Sequence, residues 1–481
     1  MIRSLPLLLL STCLTAAAAA NPVDLPRIGE HADVALSPQE EAKLGSRVVA
    51  QLYAYDYVLE DPEITEYVSS LAWRLVAAAD TDLQKLSVFV IRDPRINAFA
   101  LPGGYIGVNA GLLTASQNES ELAGVLGHEL AHVTQRHIAR TIDGTEAANL
   151  ATWAAVLATI IAASANPEIV IAALSVGQAA NYQREVNFTR AHELEADRVG
   201  IRTLAKAGFD TEAVAGFFVR LEQQSRLYGN QVPEFLRTHP VNTTRISEAR
   251  SRAADYPKVT IKDPVDFGLM QARARVLSVE RASLASEYFI GQLINGNAIG
   301  DRYGLALSLS QLGENDRALE ALKPAIDAQP RQPNIALLQA KILLAQGKQE
   351  PALARLAQIL EHHPRYAPAI LEYADALLAA KRPDDARQVL ISHEQALGIR
   401  METYRLLAYA ARDTGNDPEA QYQMANYLFA RGDSRAALGQ IDAALRLDSL
   451  PEQDRLKLKA RRIEIAAAVA LLPPDPNRNK R

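Results

Sequence analysis

In the stretch GHELAHVTQRH, residues 127–137, two histidines have the spacing to hold a metal ion and a glutamate stands beside them. On a helix, His128 and His132 lie one turn apart on the same side. Both imidazoles can then reach one Zn2+ at about 2.0–2.1 Å. Glu129, the next residue along, can act as general base toward a water on that metal without being a ligand. The same five-residue pattern also arises by chance on ordinary helices with exposed histidines, so it decides nothing alone.

A catalytic zinc takes three protein ligands and leaves a place for water. One way to finish the set needs glycine at 135 and histidine at 138, but those residues are Gln135 and Ile138. A glutamate from a second helix is the remaining route, with Glu146, Glu168, Glu185, Glu193 and Glu195 as candidates. Residues 187–209, NFTRAHELEADRVGIRTLAKAGF, read as a helix ended by Gly208. There Glu193 and Asp197 share a face, so Glu193 could bind metal while Asp197 accepts a hydrogen bond from a ligand histidine. Glu195 points elsewhere. Geometry alone gives Glu193 only a modest lead, because solvated glutamates on helices are common.

Further elements must hold these groups in place. Asn118 and Glu121 make a capping box at the head of the first helix, and Leu122, Val125, Leu126 and Leu130 form its apolar stripe. Residues 103–113, GGYIGVNAGLL, read as a strand behind a Gly-Gly turn. His239, in RTHPVNTTRI, has two readings. It caps or packs beside Arg245, or it reaches the metal as a fourth ligand. In the second case no place for water remains, and the loop is a lid that substrate must displace. His137 and His192 read as surface residues, and His31, His362, His363 and His393 as solvated ones.

With 481 residues, the chain is too long for one hydrophobic core, and a net charge of -5, small for this length, carries no nucleic-acid footprint. Residues 1–20, MIRSLPLLLLSTCLTAAAAA, read as an export signal cleaved before Asn21, too short to span a membrane. The one cysteine, Cys13, lies inside it, and Thr12 is a poor residue before a lipidated cysteine. Export without disulfides points to a bacterial periplasm. Residues 21–255 hold the motif, 256–275 read as a linker, 276–470 as helical repeats, and 471–481 as a polar tail. Gly313 and Gly347, Ala318 and Ala352, and Pro330 and Pro364 all stand 34 residues apart. The register continues through Lys381 and Gly415, and through Ala386 and Ala420, before Gly432 slips by half a repeat. This period resembles tetratricopeptide repeats, whose stacked helices bind peptides or protein surfaces. Residues 151–180 carry one charge, Glu168, and read as a buried helical hairpin; peripheral contact with a membrane is the sharper alternative.

NAFALPGGYIGVNAGLL at 97–113, GHELAHVTQRH and HELEAD, in that order, resemble the zinc peptidase family of HtpX and the CAAX prenyl endopeptidases. The likeness is to its exported bacterial branch with tetratricopeptide repeats. It implies a gluzincin-like α+β peptidase domain, mainly α with a small β-sheet, followed by an all-α solenoid. His128, His132 and Glu193 would hold one zinc, with Glu129 as base and Asp197 in the family's E-x-x-x-D pattern. The strand at 103–113 would line the cleft, with an extended substrate added beside it. The implied substrates are unfolded or misassembled outer-membrane proteins, and the implied partner is the outer-membrane barrel assembly machinery. The alternative is a chaperone or assembly factor whose main work is binding.

Overall fold

The computed structural model describes residues 36–142, 190–228, 234–259, 263–398, 400–448 and 450–470. The expected export signal with Cys13, His31, the candidates Glu146, Glu168 and Glu185, the apolar stretch 151–180 and the tail lie outside them. Among the described residues, no helix is long and apolar enough to cross a membrane.

The chain is mainly helical, with one small sheet. Helices α1 (Pro38–Ala54) and α2 (Pro62–Ala78) both start at proline behind a side-chain cap, Ser37 or Asp61. Strands β1 (Ser87–Ile91), β2 (Ala98–Leu101) and β3 (Tyr105–Asn109) follow, in the order β1-β3-β2. β3 runs parallel to β1 and antiparallel to β2. A strand behind the glycine turn is therefore present, but it is the central one. Its hydrogen bonds are already taken on both sides, so an extended substrate cannot add beside it. The edge strand lying against the motif helix is β2.

Helices α3 (Ala110–Ala115), α4 (Glu119–Thr134) and α5 (His137–Ile142) follow the sheet, then α6 (Arg190–Lys206), α7 (Glu212–Tyr228), α8 (Glu234–Thr238) and α9 (Thr243–Ala254). α4 is buried almost throughout, packed between α2, the sheet and α6. A capping box was expected at its start, and half of it forms. Asn118 Oδ1 accepts from the Glu121 amide at 2.9 Å, but Glu121 accepts from the Gln117 amide and pairs with Arg220.

From Val265 on, the expected linker is instead helical. α10 (Val265–Ser278) buries Phe267, Leu269, Met270, Ala274 and Val276 in the core that also holds α2 and α4. Its side chains are apolar on more than one face, which hides the helical period from the sequence. Arg273 is buried on it and spans two carboxylates of α2. Its Nε and Nη2 donate to Asp61 at 2.8 and 2.7 Å, and Nη1 lies 2.9 Å from Glu63 Oε1. Tyr303 and Asn334, from the first repeats, join the same cluster. The solenoid is thus fastened to the peptidase region by buried charge as well as by a continuous apolar core.

From Ile299 the helices alternate as tetratricopeptide repeats do: Ile299–Gln311, Asn315–Ala328, Pro333–Ala345, Gln349–His362, Ala367–Ala379 and Pro383–Ser392. The repeating glycine position is a left-handed turn between paired helices, with φ of 79° at Gly313, 73° at Gly347, 60° at Lys381 and 74° at Gly415. Ala318, Ala352 and Ala386 are fully buried where the pairs cross. After Asp417–Ala430 a further left-handed turn, at Gly432, starts Ser434–Ala444 directly, which is the half-repeat slip. Lysine tolerates this conformation poorly. Lys381→Gly should raise stability by up to about 1 kcal/mol. Gly347→Ala, with open space around the added methyl, should lower it by about 1 kcal/mol. Denaturant midpoints of the three proteins measure both shifts.

Candidate metal centre

The two helices that carry the motifs touch where neither has a side chain. A Cβ on Gly200 of α6 would lie 3.0 Å from the His128 amide nitrogen and 3.1 Å from Gly127. This close approach sets Glu193, two turns before Gly200, beside His128 and His132. His239 arrives from the residue after α8. Its amide donates to the Phe235 carbonyl at 2.7 Å, and the buried Phe235 ring lies 4.9 Å from its imidazole. Arg245, in the first turn of α9, enters from the far side of Glu193.

All of these groups are buried, with Glu129 at 0% and His239 at 1% exposure. His128, His132, Glu193 and His239 each offer one ligand atom, and these atoms lie within 4.8 Å of one another. His128 Nε2 is 3.0 Å from His132 Nε2 and 3.3 Å from His239 Nδ1. Glu193 Oε1 is 3.0 Å from His239 Nδ1 and 3.5 Å from His132 Nε2. A tetrahedron with metal–ligand bonds of about 2.0–2.1 Å has edges of about 3.3–3.4 Å. Four of the six donor pairs lie at 3.0–3.5 Å, close to those edges, and all within 4.8 Å, so this donor set could hold a metal ion.

The surrounding contacts orient these donors. Asp197 Oδ1 lies 3.0 Å from His128 Nδ1. Arg245 donates from Nε and Nη2 to Asp197 at 2.7 and 2.8 Å, and its Nη1 lies 2.7 Å from Glu193 Oε2. Glu129 Oε1 is 3.4 Å from His239 Nε2. Glu195 stands outside the ligand cluster, against His137 and Arg140.

Burial opposes charge on His128, yet the Asp197 and Glu193 carboxylates beside it drive its metal-free pKa up to about 10. Burial likewise works against the Glu193 carboxylate, but His239 and His128 hold it well below the usual range. His132 goes the other way, pushed well down by burial and by the His128 charge. Burial raises Glu129, with His239 and His128 pulling it partly back. Strong perturbation of several groups in one place marks a candidate functional site.

Two histidines expected on the surface are not there. His137 is fully buried and His192 is 9% exposed, their rings stacked 4.4 Å apart. The reason is Arg136, whose φ of 52° turns the chain back just after α4 and swings His137 under His132. No helical periodicity could have revealed that reversal. Arg245 was visible beside His239 in the sequence, but not its grip on both carboxylates.

Residues 59–253 match peptidase family M48, and residues 303–354 and 343–396 match tetratricopeptide repeats. The beta-barrel assembly-enhancing protease of Escherichia coli K12 is 32% identical over 428 residues, covering 88% of this chain and 86% of that one. The chain belongs to peptidase family M48. The Yersinia pestis protease of the same name is 34% identical over 430 residues, again 88% of this chain and 86% of that one. A Vibrio cholerae relative is 39% identical over 323 residues, 66% of each chain. Mitochondrial metalloendopeptidase OMA1 of Arabidopsis thaliana shares 34% over 172 residues, 35% of this chain and 32% of that one. The M48 chain is thus a metallopeptidase joined to tetratricopeptide repeats.

The His128 proton sets a pH dependence. The ordinary histidine value is 6.5 and the metal-free folded value is about 10. Its contribution to metal-free stability is therefore complete below pH 6.5 and is lost as pH rises through about 10. Metal must displace this proton. Apparent zinc affinity should rise about tenfold per pH unit between 7 and 8.5, measured by chelator competition. A flat profile would contradict the protonated His128.

Proposed function

We propose that this chain is a zinc endopeptidase of the Gram-negative periplasm that cuts unfolded or misassembled outer-membrane proteins. The clustering of His128, His132, Glu193 and His239, their ligand atoms within 4.8 Å of one another, carries the metal part of this reading. Bound there, zinc would supply Lewis acidity, acidifying a water and polarising the scissile carbonyl. Glu129 takes a proton from the attacking water and passes it to the leaving nitrogen. Its burial and raised pKa suit a group that must both accept and release that proton. Asp197 and Arg245 do not meet substrate; they hold His128 and Glu193 in place.

The edge strand β2 supports main-chain recognition of an extended substrate, since it pairs only with β3 among the described residues. Such recognition accepts many sequences. The repeats supply a second contact: a cavity of about 410 Å³ against the start of α2, lined by Glu63, Lys341, Glu372, Asp375 and Arg405. The names of the bacterial relatives, beta-barrel assembly-enhancing proteases, support the outer-membrane substrate class and the barrel assembly machinery as partner. The cavity also favours a second reading, an assembly factor that binds without cutting.

His239 completes the tetrahedron and so leaves no position for water. We read it as a removable fourth ligand that restrains the protease until substrate displaces it. His239→Ala should keep zinc through His128, His132 and Glu193 and should cleave several-fold faster than wild type. Slower cleavage with zinc intact would instead place His239 among the groups that stabilise the transition state.

Cleavage of an unfolded barrel protein separates the enzyme from the binding factor. Glu129→Gln should lose about 10²–10⁴-fold in rate while zinc content stays at the wild-type level. Equal cleavage by the two proteins would sink the enzymatic assignment.

A further inference from the structure

Beyond the metal cluster, a hydrogen-bonded chain runs from His132 to the surface. His132 Nδ1, on the side of the ring away from His128, lies 2.8 Å from His137 Nδ1. His137 Nε2 in turn lies 3.2 Å from Glu195 Oε2, which also accepts from Arg140 Nη1 at 3.0 Å. The direction of this chain follows from chemistry. A His132 that turns Nε2 toward a metal must carry its proton on Nδ1. His137 Nδ1 is then the acceptor, so its own proton sits on Nε2 and is donated to the Glu195 carboxylate.

The backbone is shaped to make this contact. Arg136 adopts the left-handed region, φ 52°, which L side chains avoid. Its guanidinium is held by Glu41 Oε1 at 3.0 Å and by the Leu36 carbonyl at 2.7 Å. His192 covers the His137 ring in a nearly parallel stack, 11° between planes. His128 has Asp197 at its Nδ1. At the same ring position His132 meets His137.

We propose that His137 is a positioning residue for the metal centre: it accepts the Nδ1 proton of His132 and fixes the tautomer and ring plane that aim Nε2 at the metal. Glu195, anchored by Arg140, holds His137 in the complementary tautomer. The inference rests on the reading of His132 as a metal ligand.

The test is zinc retention by the full chain against a chelator, with metal-free thermal midpoints as the folding control. His137→Leu should weaken retention by about 10–100-fold, the usual effect of losing such an outer partner. His137→Asn, whose Oδ1 stands where Nδ1 stood, should recover most of it, a rescue that a purely packing role would not give. Glu195→Ala, at a partly exposed site, should show a smaller loss, and it carries the test should His137→Leu fail to fold. Wild-type retention in His137→Leu, or in Glu195→Ala where that variant stands in, would overturn the proposal alone. Equal loss in His137→Asn and His137→Leu would do the same. A wild type without stoichiometric zinc, or a His128→Ala variant that keeps it, would overturn the metal reading and this inference together.

Discussion

The two helices that present the candidate ligands pack backbone to backbone, and Gly200 is where that approach is tightest. A Cβ at Gly200 would press on the His128 amide nitrogen at 3.0 Å, so a side chain there would have to ease the two helices apart by a few tenths of an ångström. The contact also forces opposite charges together. Glu193 and Asp197 are 2% and 5% exposed, and such burial is tolerable only because Arg245 and the histidines pair with them. Removing one member of that set would leave a buried charge without its partner. The site is therefore stabilised as a group rather than residue by residue.

The same physics recurs where the repeats meet the peptidase region. Arg273, 3% exposed, answers Asp61 and Glu63 across more than two hundred residues of sequence. Burial and the Arg273 charge act on these carboxylates in opposition; Asp61 is lowered while Glu63 is raised. At the other end of the repeats, Gly432 packs against Ala50 of α1, and Arg431 lies 3.2 Å from Glu60. The solenoid thus returns to the domain it leaves, and α10 belongs to the core of both.

Much of this was legible in the sequence because it is periodic. The motif helix, the strand behind Gly103 and Gly104, and the 34-residue repeat all declare themselves through spacing. Turns at Gly313, Gly347, Lys381 and Gly415 fall where that period puts them. What stayed hidden depends on single backbone reversals or on contacts distant in sequence. Prolines at 257 and 264 suggested a linker, and the buried helix Val265–Ser278 begins just past the second. The Arg136 turn concealed His137. Sheet order, which moves the open edge from β3 to β2, is a property of pairing and not of either strand.

A closed centre and an open one differ in how many imidazoles face the metal. X-ray absorption at the zinc edge of the metal-loaded full-length protein counts them directly. Three imidazole nitrogens and one carboxylate oxygen at about 2.0–2.1 Å are the predicted shell, falling to two imidazoles in His239→Ala. A wild-type shell with two imidazoles, unchanged in that variant, would contradict the closed four-ligand centre.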